Sequence, residues 1–105
     1  MGLFGIYGHH TVEACPLNNI KSRKMVLNQP PDLESFIKKY KINKFLGRYH
    51  SALEHTFLWI ADAEDPHLIQ KFAIDSGLAS WNAVKIVPLI NFQDVMEMMK
   101  EIGAD

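Results

Sequence analysis

Apolar residues along this chain switch repeatedly between the two-residue period of a strand and the 3.6-residue period of a helix, and this limits the folds open to it. Leu3 to His10 is short, rich in aliphatic and aromatic residues and punctuated by glycines, and reads as a first strand. Cys15-Pro16 breaks it, and Leu17 to Leu27 is a weaker helical segment. Pro30-Pro31 closes that segment, because proline has no amide donor and restricts the residue before it. Asp32 can cap the next helix, where Leu33, Phe36, Ile37 and Tyr40 fall at i, i+3, i+4 and i+7. Lys44 to His50 and His55 to Asp62 read as the two strands of an antiparallel hairpin. Asp65-Pro66 is a helix start, Ile69, Phe72 and Ala73 form its buried stripe, and Gly77 suits its stop. Asn82 to Leu89 is a fourth strand. Asn91 can then cap a last helix with a stripe of Phe92, Val95, Met96, Met99 and Ile102, ending at Gly103. Its methionines Met96, Met98 and Met99 are expected as core filling.

The order predicts an α+β fold, the ferredoxin-like βαββαβ pattern with an extra C-terminal helix on a four-stranded antiparallel sheet. Right-handed crossovers are expected to set the first and third strands side by side and parallel at its centre. A length of 105 residues fits a single domain over 1–105. At 48% apolar and 22% charged the composition is globular, and a formal charge of -1 gives no global field toward nucleic acid or an anionic membrane. The one cysteine, Cys15, cannot make an internal disulfide. The N-terminus lacks the basic region of a signal peptide, and the apolar run Phe57 to Ala61 is far short of the ~20 residues of a membrane span. A cytoplasmic protein with neither nucleic-acid nor membrane partners is the expectation.

Strand alternation separates faces. His55, Phe57, Trp59 and Ala61 share one side of the third strand, and Thr56, Leu58, Ile60 and Asp62 the other. In the first strand Tyr7 and His9 oppose Phe4, Ile6 and His10. The aliphatic sets suit contact with helices. The mixed sets, Tyr7-His9 and His55-Phe57-Trp59, are assigned to the face the helices leave uncovered. One chain has helix enough for one side, so a second copy is the economical cover, and a homodimer packed sheet to sheet follows. Tyr7, His9, His55, Phe57 and Trp59 would then line a small-molecule site between the sheets. Within one chain His9 and His55 are read as roughly 15–20 Å apart, a gap that a two-fold axis could close.

His9, His10, Glu13 and Cys15 carry atoms that can ligate a metal. Neighbouring strand residues point to opposite faces, and no spacing characteristic of a metal site is present, so neither a metal nor another cofactor is expected. Glu54 beside His55 could form a general base with His50 nearby, but strand neighbours again diverge. His67, in the first turn of a helix, reads as surface, and Lys21-Ser22-Arg23-Lys24 as a solvated charge run.

Tyr7, His9 or His10, Thr11, Glu13, Cys15 and Pro16, with the internal Glu54-His55-Thr56, resemble the motifs of an uncharacterised family of small ferredoxin-like domains. The resemblance implies a fold similar to the dimeric α/β-barrel group, which includes small monooxygenases, isomerase-like enzymes and proteins with no known activity. It brings no established catalytic residues. The functional expectation is a small homodimeric ligand-binding protein; the alternatives are a non-catalytic structural or regulatory interaction module and a cofactor-independent monooxygenase- or isomerase-like enzyme.

Overall fold

The computed structural model describes residues 2–30 and 32–104, so the proline expected at 31 to close the first helical segment lies outside the described residues. Strand β1 covers Gly2–His9, helices α1 and α2 cover Ile20–Leu27 and Leu33–Lys38, and strands β2 and β3 cover Ile42–Ser51 and Thr56–Ala63. Helix α3 covers Pro66–Asp75, a 3₁₀ turn Leu78–Ser80, strand β4 Ala83–Leu89 and helix α4 Phe92–Ile102. Short side chains fix the helix starts, as their sequence positions predict. Asp32 accepts from the Ser35 amide at 3.1 Å, Asp65 from the His67 amide at 2.8 Å, and Asn91 from the Gln93 amide at 2.8 Å. Among the described residues no helix is long and apolar enough to cross a membrane.

The fold is α+β, with an open four-stranded antiparallel sheet in the order β2-β3-β1-β4. The first and third strands are neighbours at its centre, as expected, but they run antiparallel and not parallel. Each crossover here skips a strand. β1 and β2 share a direction with β3 between them, so β3 must oppose both. This reversal brings the end of β1 and the start of β3 to the same edge, where His9 pairs with Thr56 and the His10 amide donates to the His55 carbonyl at 3.0 Å. The expected separation of His9 and His55 along the sheet is therefore wrong.

The assignment of faces also changes. Phe4 and Ile6 of β1 join Phe57, Ala61 and Ala63 of β3 in the core, beside Ile37, Tyr40, Ile69 and Phe72 from the helical side. Phe57 and Trp59 thus point at the helices and not at the uncovered face. Their aromatic neighbours explain the choice. Phe72 lies 5.9 Å from Phe36, 5.6 Å from Tyr40, 5.7 Å from Phe45 and 6.5 Å from Trp59, so the rings form one tilted and edge-to-face cluster. Aliphatic Leu58 and Ile60, registered against Tyr7 and Gly5, take the open face instead.

Helix α4 stands apart from this core. Phe92, Met96, Met99 and Ile102 are exposed, so the methionines do not fill a core within the chain. The amphipathic stripe is formed as expected, but among the described residues only Val95 on its apolar side is half-buried and the rest is uncovered. The radius of gyration of 16.1 Å and the 55 × 31 × 18 Å extents exceed the ~13 Å radius of a compact chain of this length, because α4 projects from the sheet.

Candidate functional site

At one edge of the sheet the helix-side face ends in polar groups rather than aromatic packing. β1 runs out at His9, β2 nears its end at His50, β3 starts after His55, and β4 starts after Asn82. Antiparallel order delivers all four to one edge. His10, only 4% exposed, gives its Nδ1 to Asn82 Oδ1 at 2.7 Å, while Asn82 Nδ2 donates to the Leu78 carbonyl at 3.0 Å. Because the amide nitrogen of Asn82 is committed to Leu78, its oxygen accepts, and the His10 proton sits on Nδ1. The lone pair of His10 is then on Nε2, 3.4 Å from His50 Nε2. The His10 and His50 rings are stacked at 5.3 Å, with His55 edge-on to His10 at 5.7 Å and Trp81 at 5.0 Å on another side. Partial loss of hydration first, then the neighbouring His10 and His55, hold the His50 imidazole below the ordinary histidine pKa.

Cys15, wholly buried, completes the cluster from the loop after β1. Donor atoms of His10, Cys15 and His55 all lie within 4.8 Å of one another. The loop that carries the thiol is held in place by its own bonds. The Cys15 amide donates to the Thr11 carbonyl at 3.1 Å, Ser22 Oγ donates to the Ala14 carbonyl at 2.6 Å, and Arg23 Nε donates to the Pro16 carbonyl at 2.8 Å. Arg23 also donates to the Leu17 carbonyl at 3.1 Å, so this member of the basic run is a loop clamp and not a free surface charge.

His55 does not lie within a strand. It ends the β2–β3 turn, its amide donating to the Ser51 carbonyl at 2.9 Å, with φ at +58°. That left-handed conformation costs an L-residue about 1–2 kcal/mol, and asparagine or glycine would relieve it. His55 Nδ1 is also buried without a hydrogen-bond partner. His55→Gly should therefore leave the unfolding free energy within about 1 kcal/mol of the native value, as relief of strain offsets the greater freedom of the unfolded chain. Urea denaturation would measure it, and a loss of several kcal/mol would show that the imidazole supports the fold.

The other face holds part of the expected ligand set. Tyr7 and His9 project from it and border a groove of about 530 Å³ with Thr56, Leu58 and Lys85, and Phe57 contributes to its rim. The Lys85 ammonium lies 5.6 Å from the centre of the Tyr7 ring. His55 and Trp59 are not among its walls. Trp59 is in the aromatic cluster, with the Arg48 guanidinium 5.3 Å from its ring. The sheet thus divides the five residues between its two sides. Among the four metal-competent residues, His10 and Cys15 come together, while His9 is exposed on the opposite face and Glu13 is exposed in the loop. His67 is exposed, as its helical position predicts. Asn82 and Trp81 escaped the sequence reading. Their signal was positional, since both immediately precede β4 at the edge where β1 ends.

These features define a class, an α+β protein with helices on one face of a four-stranded antiparallel sheet, an apolar open face and a histidine-rich edge. More narrowly, the chain belongs to the family described as "Domain of unknown function (DUF3303)", which it matches over residues 28–103. The match includes Glu54-His55-Thr56 and begins after β1 and the His9 to Pro16 stretch. No curated protein and no solved structure matches the chain.

Proposed function

We propose that the chain acts as a homodimer of the ferredoxin-like, dimeric α/β-barrel type, binding a small molecule between two apposed open faces. The observation that carries this reading is the chemistry of that face. Leu3, Tyr7, Leu58, Ile60, Val87 and Leu89 share it by register, and the helices packed in the core lie on the other side. A sheet apolar on both sides calls for cover on both sides. Helix α4 adds a second uncovered apolar surface. A two-fold pairing would satisfy both, sheet against sheet with each α4 reaching across to the other protomer. In that pairing the 530 Å³ groove becomes an enclosed space with Tyr7, His9 and Lys85 as its polar points, a volume suited to a small organic ligand.

Sedimentation at micromolar concentration tests the assembly. The native chain should run at twice its 12.0 kDa mass. Leu58→Asp should give a folded monomer, because an aspartate opposite its two-fold mate would be buried without a partner. A native monomer at that concentration overturns the dimer. For the ligand space, the probe is anilinonaphthalene sulfonate. The native dimer should bind it saturably, and Tyr7→Ala and His9→Ala should each weaken it several-fold. Unchanged binding in both variants removes this groove as the site.

A further inference from the structure

We propose that His10, Cys15, His50 and His55 bind a zinc ion at the helix-side edge of the sheet, with Asn82 as the residue that positions His10. A tetrahedral ion with bonds of about 2.0–2.3 Å needs donors roughly 3.4–3.8 Å apart. The His10 Nε2 to His50 Nε2 distance is already 3.4 Å, and donors on His10, Cys15 and His55 lie within 4.8 Å of one another. His50 adjoins this trio through His10, and its ring would turn toward the ion to become the fourth ligand.

Four independent features converge on the same point. The Asn82 bond fixes the tautomer of His10 with its lone pair on Nε2, as a carbonyl behind a metal-bound imidazole does. His55 Nδ1 is buried with no partner, which an ion would supply. His55 is held in a left-handed conformation that favours glycine or asparagine, and such strain collects at functional positions. The loop carrying Cys15 is pinned by Ser22 and Arg23, so the sulfur is positioned in advance. One thiolate with three imidazoles suits zinc and excludes magnesium or calcium, which take oxygen ligands. Cys15 would bind as thiolate, its proton passing to solvent as the ion enters. His50, the exposed member of the four, faces the solvent side of the site. This site lies across the sheet from the open-face groove, so it stands or falls separately from the dimer and its ligand.

The test uses the full chain without an affinity tag, stripped with a chelator and titrated with zinc and then with cobalt. One ion per chain should bind, zinc should raise the melting temperature, and cobalt should give a thiolate-to-metal charge-transfer band. Cys15→Ala should abolish that band and weaken zinc on the order of 100-fold, and His50→Ala should weaken it on the order of tenfold. His55→Gly carries the test if Cys15→Ala fails to fold, since glycine suits the backbone there; its circular dichroism should be native while zinc affinity collapses. His9→Ala, across the sheet, should bind as the native chain does. The proposal is overturned if no saturable one-to-one uptake occurs, if cobalt binds without a thiolate band, or if Cys15→Ala and His55→Gly bind normally. Tight uptake of copper(I) without zinc at micromolar concentration overturns the assignment of zinc.

Discussion

Phe72→Ala is expected to lower the free energy of unfolding by about 3–5 kcal/mol, the usual cost of removing a buried aromatic ring. Phe72 is 2% exposed and touches rings from both layers: Phe36 and Tyr40 on the helical side, Phe45 and Trp59 on the sheet. Its loss leaves a void that no single neighbour can fill, because each remaining ring is itself held by others. The transfer and cavity contributions therefore add. At roughly 4 °C or more per kcal/mol for a domain of this size, the melting temperature should fall by at least about 12 °C. Phe72→Leu, which keeps most of the volume, should cost less than half as much. A loss below about 1 kcal/mol for the alanine variant would mean that the aromatic faces of β2 and β3 do not meet α3.

Gly8→Val is the second large effect, and its sign is informative. Valine favours strands, so by propensity alone it should stabilise β1 by up to about 1 kcal/mol. In the folded chain, however, a Cβ at Gly8 would overlap the ring of Phe57, its partner on β3. Phe57 is 5% exposed and stands beside Trp59 at 5.3 Å, so it cannot swing aside without disturbing the cluster. A net loss of about 2–3 kcal/mol is expected, with Gly8→Ala intermediate. Stabilisation by valine would place Phe57 on the other face. Guanidinium unfolding of the three proteins decides it.

The glycine's half of that pairing was available in the sequence, though its ring partner was not, because Gly8 meets Phe57 only in the antiparallel register. A glycine inside a strand marks close approach by another group, and Gly8 sits in β1 between Tyr7 and His9. Period-two alternation shows which residues share a face, but it does not show which face meets the helices. Here the aromatic set wins the helical side because Phe36, Tyr40 and Phe72 offer it rings, while Leu58 and Ile60 go to the open side. Helix starts were readable because Asp32, Asp65 and Asn91 act locally, each within three residues. Strand direction was not local. Once β1 and β3 are antiparallel, His10, His50, His55 and Asn82 fall at one edge by topology alone, and the histidine cluster follows. The projection of α4 could not be read from its stripe, which says that a partner exists but not whether it belongs to the same chain.

Of the four strands, β1, one of the two at the centre of the sheet, is made before the others. β1 pairs with β3 on one side and with β4 on the other, so Leu3 waits for its partner Leu89 until β4 has been made. Until then the backbone groups on its β4 side have no strand to pair with, and the β2–β3 hairpin, whose contacts are near in sequence, can form first. Non-local closure of this kind is slow and exposes strand edges to other chains while it is pending. The residues matched by the family, 28–103, omit β1 altogether. A fragment cut to that boundary would hold the hairpin and β4 with a gap where the strand joining them belongs.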